Sequence, residues 1–460
     1  MSNPRGRDNR DVTRPPPPPI RMRVRARSGG RTLLLAAMLL TDVASSPRAQ
    51  TPPMDEADSP GIAGNPGAVD IQPGTGALGR LLGLDPSTGF RLGGVLVSNG
   101  NYLVSGGNNP GRASFNNLLV IDLGVDLDKA AGIPGAKVGA ALLRFDGQPT
   151  NQQAGVATGY NGLPGAPPLH RTELYELWWR QSFLDDKLVV RFGKTVPTND
   201  FGNVVRPVPV QDVSLQIPAV SSLIYTPIFV NPTILGALPG YYNSAYGVTA
   251  TITPSKRFYV SLGTYDGNGA RGEQTGLREA PTFNSYRFNI GEIGTAWLLG
   301  PDGLPGAFGV GAWNQTGRLT LATSQRTITQ DGTYGAYSFA SQRLWSSTRD
   351  GNAQGVSGFA QFGANDSRTI IATEYVGLGV TAFGLIPGRP RDSVGAGVAW
   401  SWLNRNRGLR SDEALLQIYD QVHVIGDIYL EPALTVVPNP GEKTAGKPAV
   451  AFTVQSTILF

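Results

Sequence analysis

Asp122, Asp126, Glu176, Arg180 and Arg191 are the side chains on which the chemistry of this sequence turns. Each falls on alternate positions of a short alternating run. In LLVIDLGVDLD (118–128), Leu119, Ile121, Leu123, Val125 and Leu127 share one parity, and Asp122, Gly124 and Asp126 share the other. In LYELWWRQSF (174–183), Tyr175, Leu177, Trp179 and Phe183 oppose Glu176, Trp178 and Arg180. In DDKLVVRFG (185–193), Leu188, Val190 and Phe192 oppose Lys187, Val189 and Arg191. Residues two apart on a strand lie on one face. The carboxylates and guanidiniums therefore line one side of each run, where they offer charge-assisted hydrogen bonds. Trp178 adds an aromatic face to the same side. The segment GRPRD contributes Arg389, Arg391 and Asp392, in a stretch with the composition of a turn.

Bond-making chemistry lacks its reagents. The chain has no cysteine, which excludes thiolate metal sites, iron–sulfur clusters and disulfide frameworks. It has two histidines, His170 and His423, which leaves little for imidazole catalysis or imidazole metal sites. His423 shares a parity with Tyr419 and Gln421, but no serine is placed to act with it, and GVSGF is not a nucleophile elbow. GVGAWN and GLGVTAFG are Gly-rich, yet they lie in strand-like runs and complete no phosphate-binding fingerprint. The expectation is a protein that is not an enzyme and carries no cofactor or metal.

The elements that must position these residues are strands. From about residue 90 the chain repeats an alternating run followed by a Gly, Pro, Asn or Asp turn. Gly and Pro number 60 and 36, about a fifth of the chain, too many for a helical protein. Charged residues make up 16%, against roughly 25% in ordinary soluble domains. The mean hydropathy of −0.13 excludes a bundle of transmembrane helices. The net charge of +5 belongs to the N-terminus: residues 1–50 hold 10 basic and 3 acidic side chains, which leaves the remainder at −2. A nucleic-acid partner thereby loses its electrostatic basis.

The front of the chain reads as an address. Residues 21–50 carry a basic stretch, an apolar run at Leu33–Leu40 and small residues after it, the layout of a secretory signal peptide. The polyproline stretch before it suggests that translation begins at Met22. Three segments follow: 1–49 as N-terminal extension and signal peptide, 50–77 as a flexible lead-in, and 78–460 as the folded body.

An apolar strand face can meet a soluble core or lipid. Three features favour lipid: the export signal, aromatics near run ends (Trp178, Trp179, Trp313, Trp345, Trp400, Trp402), and opposite faces that are small and polar. In SVGAGVAWSWL (393–403), Val394, Ala396, Val398, Trp400 and Trp402 oppose only Ser393, Gly395, Gly397, Ala399 and Ser401. In lipid a sheet must close on itself. The chain ends on AVAFTVQSTILF (449–460), with Val450, Phe452, Val454, Ile458 and Phe460 on one parity, and so supplies a closing strand. The fold class expected is all-β, an antiparallel transmembrane β-barrel of about 16 strands, wide enough for an aqueous channel.

In their order along the chain, four stretches resemble the OprB-type carbohydrate-selective porins of Gram-negative bacteria: residues 116–142, 172–201, 374–400 and 412–441, the last ending in an Asn-Pro-Gly turn. The resemblance covers residues 78–460 and departs at EPALTVVPNPG, which lacks the Asp and Gln-Tyr usual there. It implies a 16-stranded outer-membrane barrel passing small sugars passively into the periplasm. Sugars are held by planar charged groups and stacked on aromatic rings, weakly enough to be released. Asp122, Asp126, Glu176, Trp178, Arg180, Arg191, Arg389, Arg391 and Asp392 are the expected channel-lining residues. Further expected partners are outer-membrane lipid, the barrel-assembly machinery through Phe460, and a second copy of the chain. The alternative is a general or ion-selective porin; a structural or adhesive envelope β-protein is the third class.

Overall fold

A computed structural model describes Asn65 and residues 72–460 apart from 165–167, 203, 218–219, 238–242, 268–280, 325 and 348–353. The signal peptide and most of the lead-in lie outside the described residues. Sixteen strands form one closed antiparallel barrel in which each strand pairs with its sequence neighbours. The first eight are β1 (Phe90–Ser105), β2 (Ala113–Asp126), β3 (Ala136–Asp146), β4 (His170–Phe183), β5 (Leu188–Thr195), β6 (Ala245–Ser255), β7 (Phe258–Asp266) and β8 (Arg287–Leu299). The rest are β9 (Leu304–Ala322), β10 (Thr327–Ser346), β11 (Gly355–Asn365), β12 (Ala372–Phe383), β13 (Ser393–Leu403), β14 (Asp412–Ile425), β15 (Ile428–Val437) and β16 (Ala449–Leu459).

Closure removes every unpaired edge, which a sheet in hydrocarbon requires. β16 pairs with β1 from Val95↔Leu459 to Tyr102↔Phe452. Phe460 extends the seam: its N–H donates to Gly94 O at 2.9 Å, and the Gly94 N–H donates to Phe460 O at 2.8 Å. The Phe460 ring lies over Gly94, on the outward face.

One rim carries tight turns and the other long connections, the asymmetry of bacterial outer-membrane barrels. The β4–β5 turn is a Leu-Asp-Asp corner in which Leu184, Asp185 and Asp186 all take positive φ, at 55°, 55° and 61°. The long connections are 147–169, 196–244 and 267–286.

The alternation resolves into two faces. Leu123, Leu142, Leu177, Phe192, Leu262, Leu378, Leu416 and Phe452 point outward and are exposed. Asn99, Asn116, Asp122, Glu292, Gln361, Gln417 and Thr453 point inward and are buried. Trp400 and Trp402 stack on the outward face, with centroids 5.1 Å apart. Trp178 turns inward, as its parity requires, and not to the girdle that its place near a run end suggested. Trp313 departs from the girdle expectation: it is buried and stacks on Phe288 at 5.8 Å. Tyr175 also departs from its parity. A register shift opposite Ala141 and Leu142 gives β4 one extra residue, so Tyr175 and Glu176 are both buried, each 1% exposed.

The lumen is narrower than its small polar wall implies, because two long connections fold back into it. In the first, the N–H groups of Ala157 and Thr158 each donate to the Glu413 carboxylate at 2.8 Å. In the second, Ile224 N–H donates to Gln417 Oε1 at 2.7 Å and Ser222 N–H to Tyr419 Oη at 2.9 Å. Leu223, Ile224, Ile228, Phe229 and Ile234 of this second segment are buried, so much of the apolar core sits inside the barrel. Burial raises the hydroxyl pKa values of Tyr160 and Tyr225, which keeps these two loop residues neutral.

Candidate functional site in the barrel lumen

Register assembles the site from strands β2 to β6. Asp126, Lys137, Arg180, Arg191 and Thr249 are successive cross-strand partners and form one inward rung. The adjacent rung runs Gly124, Gly139, Trp178, Gly193, Gly247 and Tyr265. The next holds Asp122, Ala141 and Glu176. Three cations on neighbouring strands thus face the lumen beside an indole. Gly139 makes room for that indole, since a Cβ there would stand 2.3 Å from the Trp178 ring.

Arg191 is the hub. It is buried, with its Cζ 6.0 Å from the Trp178 ring centroid, at the outer limit of a cation–π contact. Its Nη2 pairs with Asp200, carried by the inserted segment just after β5. Asp200 also accepts from Thr249 Oγ1 at 3.1 Å. Arg191 Nη1 is buried and makes no hydrogen bond among the described residues. It is a donor without an acceptor, beside an aromatic face. Glu176 accepts from Val196 N–H at 3.2 Å and holds the start of the same segment.

The far end of this short segment is fixed three strands further along the wall. Glu292 of β8 accepts from Gly202 N–H at 2.8 Å, from Tyr259 Oη at 2.8 Å and from Tyr337 Oη at 2.7 Å. Residues 196–202 are thus clamped between Arg191 and Glu292.

Of the residues expected from parity, Asp122, Asp126, Glu176, Trp178, Arg180 and Arg191 lie on these three neighbouring rungs. Within the group, Asp122 pairs with Arg91 at 2.5 Å. That guanidinium also donates to the carbonyls of Gln72, Pro73 and Gly74, so it clasps the chain ahead of β1. Asp126 ends β2, where it accepts from Asp128 and Lys129 N–H and lies 3.7 Å from Lys137. Arg389, Arg391 and Asp392 lie apart, in the β12–β13 connection on the tight-turn rim. There Asp392 pairs with Arg389 and accepts from His423 N–H at 2.8 Å, tying two turns together. Lys137, Asp200, Thr249, Tyr265 and Glu292 were not expected. Lys137 follows the same alternation and was legible; Asp200 comes from a connection with no periodicity to read.

A model of the carbohydrate-selective porin, OprB family, matches residues 116–460. The chain belongs to this family. The OprB match begins near the start of β2, so β1 and its lead-in precede it. Porin B of Pseudomonas aeruginosa is 23% identical over 303 residues, covering 58% of this chain and 64% of Porin B, just under two thirds of its length. A high-pH structure of Pseudomonas putida OprB superposes with a TM-score of 0.71 at 18% identity, covering 84% of this chain and 96% of that one. The low-pH structure of the same protein gives 0.51 at 16% identity, covering 83% and 96%. These likenesses establish the fold. Family and barrel together place the chain in the outer membrane of a Gram-negative cell.

Proposed function

We propose that this OprB-family barrel is a passive channel for small carbohydrates entering the periplasm. The observation that carries the reading is the Lys137–Arg180–Arg191 rung beside Trp178. The rung supplies guanidinium donors for hydroxyls and the indole a face for ring C–H groups. Arg180, only half-buried on that rung, is the guanidinium a passing hydroxyl would meet. Asp200 and Glu176 partly neutralise the buried Arg191 beside it, so that solutes are held briefly and released. The outward apolar face contacts lipid, and Phe460 is the element the barrel-assembly machinery would read. A second copy of the chain could pack on the same outward face.

Liposome swelling tests the reading. Glucose, a disaccharide and an uncharged amino acid of glucose-like size are compared in wild type, Arg180→Ala and Arg191→Ala. Glucose should enter wild type faster than its size predicts, and each variant should lose that advantage while ionic conductance changes less. Entry ordered by size alone in wild type would make the barrel a general porin.

A further inference from the structure

Outside the lumen, one surface gathers five arginines. Arg326, Arg368, Arg405, Arg407 and Arg410 come from three connections on the long-loop rim, and none forms an ion pair among the described residues. The connections are joined to one another. Arg326 Nη2 donates to Asn406 Oδ1 at 3.2 Å, and Arg407 Nη1 donates to Thr369 O at 2.5 Å. Buried Asn404 fastens them further, its Nδ2 donating to Ser367 O and Ile370 O, both at 2.9 Å. Of the nearby carboxylates, Asp366 and Asp412 are committed elsewhere, while Asp331 and Glu374 are exposed. Asp366 accepts from Thr333 Oγ1 at 2.7 Å and Tyr334 N–H at 2.9 Å. Asp412 accepts from Asn439 Nδ2 at 2.5 Å and Ser411 Oγ at 2.7 Å.

The arginines stand above an aromatic sector of the outward wall. Tyr334 is 64% exposed and Trp400 47% exposed, with Trp402 stacked on the latter. Ala336, Ala364, Glu374 and Trp402 are consecutive register partners, which puts Tyr334 of β10 and Trp402 of β13 near one level. Aromatic rings of this kind mark the bilayer interface. Arg405 follows β13 by two residues, so the cations begin just outside that interface. This is the depth at which headgroup phosphates lie, and an arginine fork matches phosphate geometry.

We propose that this rim binds the phosphates of a glycolipid in the outer leaflet. Arg368, Arg405 and Arg407 supply the guanidiniums, and Tyr334, Trp400 and Trp402 pack against its acyl and sugar portions. The surface is separate from the lumenal rung and does not depend on which solute the channel passes.

The test uses full-length protein folded in detergent, titrated with purified lipopolysaccharide and with its dephosphorylated form, and read by native mass spectrometry. Wild type should bind the phosphorylated form at least tenfold more tightly, and less tightly as salt is raised. Arg368→Gln/Arg405→Gln/Arg407→Gln should bind it about 10²-fold more weakly, each cation contributing roughly fivefold. Heat-modifiable migration confirms that the variant is folded, and Arg405→Lys/Arg407→Lys should recover part of the loss. Equal binding of both glycolipid forms would overturn the proposal. So would a folded triple variant that binds normally but shows lower anion selectivity in planar bilayers, because the rim would then be an electrostatic funnel for solutes.

Discussion

Glu292→Ala should loosen the segment that narrows the lumen. The Glu292 carboxylate is buried and serves three donors: Gly202 N–H and the hydroxyls of Tyr259 and Tyr337. Each donor stranded without its acceptor costs about 1–3 kcal/mol. Removing the carboxylate also removes its own desolvation penalty, and water reaching the gap recovers part of the rest. Only the Gly202 bond ties the segment to this carboxylate, so the docked-to-undocked ratio of residues 196–202 falls by about 1.5–3 kcal/mol, roughly 10- to 150-fold. The Arg191–Asp200 pair still holds the other side. The single variant should therefore remain mostly docked and show more frequent conductance steps. Glu292→Ala/Arg191→Ala removes both clamps and should give a higher steady conductance with loss of glucose preference. Single-channel recording in planar bilayers measures the first effect, and liposome swelling the second. Glu292→Gln keeps one acceptor oxygen and should fall between wild type and Glu292→Ala. A double variant that migrates as a folded barrel but conducts like wild type would refute the reasoning, because the segment would then be held by its apolar packing alone.

Two further outcomes are expected. Arg91→Ala leaves Asp122 buried without its cation, a loss of about 3–5 kcal/mol for a broken buried pair, and frees the carbonyls of Gln72 to Gly74; limited proteolysis should then cut ahead of β1, where wild type resists, while Arg91→Lys restores partial protection. Gly311→Val places a side chain where a Cβ already stands 2.3 Å from the Tyr337 ring; the ring must leave Glu292, so the temperature at which heat-modifiable migration is lost should fall, whereas Gly332→Ala, 3.2 Å from its nearest atom at a left-handed turn, should act only through local backbone strain.

The alternation in 118–128, 174–183 and 393–403 carries most of the barrel, because a strand facing lipid on one side and a lumen on the other must alternate. The same period put Asp122, Glu176, Trp178, Arg180 and Arg191 on the inward face before any pairing was known. It failed at Tyr175, where the bulge in β4 reverses the parity of everything before it. Neither propensity nor pattern announces such an extra residue; cross-strand register decides it. Trp313 failed for another reason. An aromatic near a run end reads the same whether it faces lipid or the barrel interior.

Residue types and their period determined the closed all-β architecture, the outward apolar belt and the charged parity that became the lumenal rung. These are local properties, repeated strand by strand, and they need no knowledge of distant partners. The tertiary structure alone decided what occupies the lumen and which charges meet. Gly202 finds Glu292 across 90 residues, and Ser222 finds Tyr419 across 197. A connection without periodicity gains its position only when a closed wall presents matching acceptors and donors. Arg191 acquires Asp200 in the same way, from a segment that turns back into the barrel instead of leaving it.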